Sequence, residues 1–479
     1  MNPDRLSEIA LESAGAQGAS YADFRYEEIT EQGINISNGR PELFNRSYSR
    51  GFAIRVLAEG AWGFAAKSLI SEEKIKEAVA LAVEIARASA MINKVPIELG
   101  NIKAVNDSYV TPVEKDPFAV SLAEKLEFLT AIESMLKIDE QINSASAFMT
   151  FVKTSKFFAS LAGSKITQDI YQAGCGATCG VTRSHMDRTE RSFPTSGGQW
   201  ITGGYEILDQ FDFATELPRL ASEAVALLSA RECPQSELDL VLSGDLASLQ
   251  IHESVGHALE LDRVFGYERN FSGISFATPD KLNKLKYASE IVTFVCDSNY
   301  PGGLATYAYD DEGVKTERTT LIDKGLLVNY LSDRETAHRV GKKSTACSRA
   351  AGWVNVPIVR IPNVLMLPGD KSFDEIIGGI DEGIYISTPN SWSIDDNREG
   401  FRLGGEIGWL IKNGKLAEMV KTPAYSGTTV DFWNSCDAIG NQESWKVWGT
   451  PNCGKGQPGQ NARTAQGAAP CRFRKVKIG

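Results

Sequence analysis

The chain has 479 residues, 42% of them hydrophobic and 23% charged, the balance of a globular protein of two or three domains. A formal net charge of -11 with no strongly basic block argues against nucleic-acid binding. No apolar run reaches transmembrane length, Met1-Asn2-Pro3-Asp4-Arg5 lacks a signal-peptide core, and the eight cysteines form no disulfide-like framework, so the expectation is a cytoplasmic protein with no membrane association.

In chain order, Leu6, Ile9, Ala10 and Ala14 make a helical stripe, and Tyr21 to Ile29 and Gly33 to Ser37 read as strands. Phe52, Ile54 and Val56 alternate up to a Glu59-Gly60 turn before Trp62 and Phe64, a hairpin signal. Ser71 caps a helix whose stripe is Ile75, Val79, Ala82 and Ala86, with Glu72 and Glu73 in its first turn. Residues 94–117 are polar and hold three prolines, so they read as a connector. A helix carrying Leu122, Leu126, Leu129, Ile132 and Leu136 follows, then two or three antiparallel strands between Ile142 and Tyr171 that turn at Gly163-Ser164-Lys165. Leu217, Leu220, Ala221, Ala224 and Leu227 mark another helix, and residues 231–236, with Cys233-Pro234, give the expected domain boundary. The expected architecture is therefore α+β: residues 1–232 an α/β domain, residues 233–479 a mostly antiparallel β-rich domain. Within the second, Leu321 to Leu327 and Trp409 to Leu416 read as hairpins, Ile291 to Val295 as a strand, and Arg472 to Lys477 as a last strand with charges facing water.

One stretch organises the whole. The chain has four histidines, and two of them, His252 and His257, flank Glu253 in His252-Glu253-Ser254-Val255-Gly256-His257. Two neutral imidazoles with a neighbouring carboxylate are the parts of a metal-assisted hydrolase: ligands and a general base. The spacing is one residue longer than His-Glu-x-x-His. On a regular helix, residues five apart diverge by roughly 140°, so a π-bulge or break between Glu253 and His257 is required, with Gly256 as its site. Leu238 to Leu242 supplies a buried strand before the helix, and Ser243-Gly244-Asp245 its turn and cap.

A catalytic zinc needs a third protein ligand, which the residues leave open among Glu, Asp, His and Cys. His185 and His338 lack a metal-like neighbourhood and read as ordinary polar residues. Cys453 lies in a glycine-dense loop that gives the backbone freedom to bring a thiolate in, and spacing does not choose it over Cys436 or Cys471. Gly454-x-Gly456-x-x-Gly459 lacks a strand–turn–helix setting and is not read as a dinucleotide site. Cys175 and Cys179 lack a second pair and are not read as a structural zinc site. Asp310-Asp311-Glu312-Gly313 reads as a solvated acidic turn. Glu260 or Asp262 is positioned to orient a liganding imidazole.

Taken together, His252-Glu253-x-Val255-Gly256-His257-x-Leu259-Glu260-x-Asp262, Asp310-Asp311-Glu312-Gly313, Asn363 to Gly369 and Cys453-Gly454-Lys455-Gly456-Gln457 resemble the TldD/PmbA family of zinc metalloproteases, also called modulators of DNA gyrase. The resemblance implies zinc held by His252, His257 and Cys453, with Glu253 as base, in a chain of the active-subunit type. It also implies a substrate of unfolded or flexible peptide, and a homodimer or a heterodimer with a paralogous subunit. The alternative is a non-catalytic zinc protein that acts through a partner subunit.

Overall fold

In the computed structural model, which describes residues 2–184 and 187–479, the first part of the chain is built on one eight-stranded sheet. Its strands are β1 (Tyr21–Ser37), β2 (Arg40–Ala58), β3 (Ala61–Lys67), β4 (Asn106–Val110), β5 (Ser144–Ser160), β6 (Lys165–Ser184), β7 (Asp187–Phe193) and β8 (Gln199–Thr202). They lie in the order β3-β2-β1-β5-β6-β4, with β7 and β8 also paired to β6. Four helices accompany them: α1 (Pro3–Ala16), α2 (Glu72–Ala90), α3 (Leu122–Ser134) and α4 (Phe213–Leu227).

Period-two alternation assigns the two faces of this sheet. Ala22, Phe24, Ile34 and Ile36 of β1, with Met149, Phe151, Phe157 and Ala159 of β5, point to the helices. α1 and α2 cover one end, and α3 and α4 the other. The approach of α2 to β3 is close enough that a Cβ on Gly63 would sit 1.8 Å from the Ala82 carbonyl oxygen, so only glycine fits. The opposite face carries Asp23, Arg25 and Glu27 of β1 and Lys156 of β5, and it is covered by the second part of the chain.

Two of the sequence expectations change here. Tyr21 to Ser37 is one strand, because its partners β2 and β5 pair along it without a break at Glu31-Gln32. Residues 94–117 contain β4, a largely exposed edge strand parallel to β6 that has few apolar residues to reveal it.

The second part is β-rich. Its strands are β9 (Arg231–Glu232), β10 (Ser236–Leu242), β11 (Phe294–Cys296), β12 (Thr319–Asp323), β13 (Leu326–Leu327), β14 (Ser348–Arg349), β15 (Ile358–Val359), β16 (Asn363–Met366), β17 (Glu382–Ile394), β18 (Gly400–Lys412), β19 (Lys415–Lys421), β20 (Ala424–Thr428), β21 (Cys436–Ile439), β22 (Lys446–Lys455), β23 (Gln460–Ala468) and β24 (Cys471–Ile478). One sheet runs β17-β10-β24-β20-β18-β19-β9, and pairing of β17 with β18 closes part of it on itself. A second runs β13-β12-β11-β16-β23-β22. Most pairs are antiparallel; β10–β17, β16–β23 and β9–β19 are parallel. Helix α5 (Gly244–Ile251) leaves β10 through Ser243 and packs against β17, β22 and β23, with every residue buried except the half-buried Leu249. This α+β architecture places the His-Glu segment at the end of a largely buried helix.

Candidate metal centre

Helix α5 ends at Ile251, and residues His252–Gly256 form a π-turn in which the His257 N–H donates to the His252 carbonyl. Residues His257–Leu259 then tighten into a 3-10 turn, and Glu260 is extended. The i to i+5 bond absorbs the extra residue of the motif. The two imidazoles consequently converge, with ring centroids 4.8 Å apart and planes nearly perpendicular at 85°. Gly256 sits against Ile361, whose Cδ1 lies 2.8 Å from where a Cβ would be.

Cys453 arrives from β22. Pairing with β23 slips between Thr450, opposite Thr464, and Cys453, opposite Ala462. This bulge reorients the strand where the thiol must turn inward. The Arg360 guanidinium holds the strand in place by donating to the Cys453 and Gln460 carbonyls. One ligating atom from each of His252, His257 and Cys453 lies within 4.8 Å of the other two, and all three residues are buried.

The outer ring nitrogens are already engaged. Nδ1 of His257 is 2.8 Å from Glu260 Oε2, and Nδ1 of His252 is 3.4 Å from Thr464 Oγ1. That leaves each Nε2 for the interior of the triad, where His257 Nε2 lies 3.4 Å from Cys453 Sγ. Burial pulls the His257 imidazolium toward deprotonation, but the Cys453 thiolate and the Glu260 carboxylate outweigh it and raise its pKa to about 9. Burial pushes the Cys453 thiol up, yet His257 and His252 hold it well below the usual thiol range. Both shifts favour the thiolate–imidazolium form of the pair.

Beneath the triad lies a buried ionic cluster. Lys455 Nζ contacts both Asp262 oxygens at 2.6 and 2.8 Å and Glu260 Oε1 at 3.3 Å. Arg263 pairs with Glu268 at 2.7 Å and reaches Glu260 at 3.5 Å. Burial raises Glu260, but Lys455, His257 and Arg263 together hold its pKa well below the usual carboxylate value. Arg398 NH1 stands 3.4 Å from Glu253 Oε2. Glu253, Glu260, Asp262 and Glu268 therefore face Arg263, Arg398 and Lys455, an excess of one negative charge. A divalent cation that displaces the His257 proton brings this buried set to neutrality, so the residues fit a metal ion with nitrogen–sulfur preference such as zinc.

The other sequence candidates fall elsewhere. Cys436 and Cys471 are packed in the core, and burial pushes both thiols up. Cys175 and Cys179 lie on the helix-facing side of β6, where burial raises both to about 12. His338 is exposed beside Glu98, and His185 lies outside the described residues. Asp262 belongs to Lys455, so Glu260 alone of the two orients an imidazole. The expectation of a solvated turn at Asp310-Asp311-Glu312 is wrong. All three are buried, because Glu312 pairs with Arg55 at 3.0 Å and Asp311 with Lys156 at 2.9 Å across the interface with the first sheet. Sequence reasoning missed Arg398, Arg263, Glu268 and Lys455 as parts of the site. Lys455, two residues past Cys453, was within reach of a charge-pairing argument; Arg398 comes from a turn 145 residues beyond Glu253 and had no local signal.

A cleft of about 1310 Å³ separates the two parts of the chain at the other end of α5. It is lined by Arg191, Phe193, Asp245, Tyr300, Trp445 and Trp448, among others, and by none of the triad.

Comparison with known proteins gives the family and the fold. A family model described as PmbA/TldA metallopeptidase C-terminal domain matches residues 235–479, and one described as PmbA/TldA metallopeptidase domain 1 matches residues 22–86. A metalloprotease of Methanocaldococcus jannaschii is 31% identical over 88% of this chain and 89% of its own length. A protein named zinc metalloprotease TldD homolog from Saccharolobus solfataricus is 24% identical over 98% of each chain. Among solved structures, a putative modulator of DNA gyrase from Thermotoga maritima superposes with a TM-score of 0.77 at 17% identity, covering 100% of both chains. TldE from Thermococcus kodakarensis gives 0.71 at 17% identity, covering 99% of this chain and 100% of that one. At such identities these two speak to the fold.

Proposed function

Since the chain belongs to the PmbA/TldD metallopeptidase family, we propose that it is a zinc-dependent peptidase acting on unfolded or flexible peptides. The observation that carries this reading is the convergence of two imidazoles and one thiolate whose outer contacts are already filled. His252, His257 and Cys453 would hold the zinc. When bound, zinc supplies Lewis acidity that makes water a nucleophile near neutral pH and polarises a peptide carbonyl.

The chain's own groups do the rest. Glu253, carried into the buried site by the π-turn, takes a proton from the attacking water on its carboxylate and returns it to the leaving amine. Glu260 holds the Nδ1–H of His257, which fixes the ring with Nε2 turned toward Cys453. Thr464 does the same for His252. We further propose that the chain works in a two-subunit assembly, with a second copy or a paralogous subunit, in a compartment that keeps its cysteines reduced. All eight are free, and no described helix is long and apolar enough to cross a membrane.

A second reading has one observation in its favour. Cys453, His257 and Glu260 stand in line as a thiol, a base and its orienting carboxylate, the arrangement of a cysteine hydrolase. His252 decides against it, because a thiol nucleophile has no use for a second imidazole at the sulfur. The test is digestion of a disordered peptide before and after a chelator and zinc add-back. The zinc reading requires loss and recovery of cleavage, whereas activity that persists in chelator supports the thiol.

A further inference from the structure

Three cations surround the site, and they differ in how fully their donors are spent. Lys455 is saturated by Asp262, Glu260 and the Val359 carbonyl. Arg263 has two carboxylates, Glu268 at 2.7 Å and Glu260 at 3.5 Å, and the Ser272 carbonyl, although its Nε–H is also buried without a partner. Arg398 has one carboxylate contact among the described residues, Glu253 at 3.4 Å, which is long for a hydrogen bond. Its NH2 donates to the Ser272 carbonyl at 3.0 Å, and its Nε–H is buried with no partner.

The backbone that delivers this side chain is built at some cost. Arg398 sits at φ +62°, in the left-handed region that non-glycine residues avoid. The β17–β18 turn enforces it. The Asp395 carboxylate gathers the N–H groups of Asn397, Glu399 and Gly400, the Arg398 N–H donates to the Asp395 carbonyl, and Thr429 Oγ1 donates to the Arg398 carbonyl at 2.7 Å. Strain held in place this firmly, ending in a cation with spare donors beside the base, is the pattern of a functional position.

We propose that Arg398 is a catalytic residue that donates hydrogen bonds to the carbonyl oxygen of the peptide bond being cut. This rests on the reading of Glu253 as base. As the water oxygen bonds to the carbonyl carbon, its proton passes to Glu253 and the π electron pair moves onto the carbonyl oxygen, where the guanidinium meets the new charge without giving up a proton. When the C–N bond breaks, its electron pair goes to nitrogen, which takes the proton back from Glu253. Glu253 and Arg398 stand 3.4 Å apart, so a carbonyl attacked by water held at one lies within reach of the other.

The test uses the zinc-loaded full chain and two variants. Arg398→Gly removes the guanidinium at a φ that glycine accepts without strain, and Arg398→Lys keeps a cation. Both should retain the zinc content of the parent. Arg398→Gly should lose about 10²–10³-fold in kcat, with KM changed less than about threefold. Added guanidinium ion should restore part of the loss, and Arg398→Lys should fall between. A phosphinic peptide, which mimics the attacked carbonyl, should bind Arg398→Gly roughly 10²-fold more weakly than the parent. Unchanged kcat and phosphinic affinity would overturn the assignment, as would a loss carried by KM alone or by zinc. Turnover by Glu253→Gln would strike the base reading itself. An inactive Glu253→Gln beside an Arg398→Gly that binds the phosphinic peptide normally would remove Arg398 alone.

Discussion

At the scale of single residues, the account turns on which cysteine joins the histidines. Cys453→Ser should lose zinc under dialysis that leaves the parent loaded, because a hydroxyl does not replace a thiolate at a site of this softness; metal analysis after dialysis checks it. Glu253→Gln should keep the zinc and lose kcat by at least about 10²-fold, read from peptide cleavage together with zinc content. Glu260→Gln should weaken zinc affinity by about 10–100-fold, since it orients the His257 ring without touching the triad's interior; competition with a chromophoric chelator measures it. The two imidazoles and their carboxylate were legible in the sequence because they lie within six residues of each other. Composition and spacing left Cys436, Cys453 and Cys471 level. What separates them is environment: the first and last are packed among apolar side chains that favour the neutral thiol, and Cys453 faces two imidazoles. That distinction exists only once β22 lies beside the π-turn.

At the scale of elements, the π-turn is the feature that makes the longer motif work, and helix geometry alone required it. Its glycine is also set by its surroundings. Gly256→Ala would press a methyl group into Ile361, so it should destabilise the fold by about 1–3 kcal/mol and weaken zinc binding as the turn shifts. Thermal unfolding and zinc titration of that variant test both effects. Most helices and hairpins were legible because their apolar periods are strong and an end can carry a cap, as at Ser71. Strand β4 was not, since an exposed edge needs no apolar face. Nor was the bulge at Pro451-Asn452, which is defined by the register of two strands rather than by either alone.

At the scale of the whole molecule, polar burial joins the two parts. The first sheet turns Asp23, Arg25, Glu27 and Lys156 inward against Asp310-Asp311-Glu312, and Arg191 of β7 reaches Glu406 of β18 at 2.6 Å. Local sequence could not show this, because each strand reads as amphipathic with a solvated face until the partner surface is known. Burial raises the Glu406 pKa to about 7 against the pull of Arg191. A carboxylate raised on folding stabilises below its unfolded pKa, and that contribution disappears as pH rises through the folded value. Relative to Glu406→Gln, the parent should therefore lose up to about 3 kcal/mol between pH 4.5 and just above 7. Paired unfolding series across that range measure the difference. The division that we propose, in the stretch 231–236 where β9 already pairs with β19, places this joint between two domains, and the metal triad wholly in the second. The most direct test of the central claim is X-ray absorption at the zinc edge of the loaded protein. The account predicts one sulfur scatterer at about 2.3 Å and two imidazole nitrogens at about 2.0–2.1 Å, with the sulfur lost in Cys453→Ser. A zinc shell without sulfur, or one closed by four protein ligands, would contradict it.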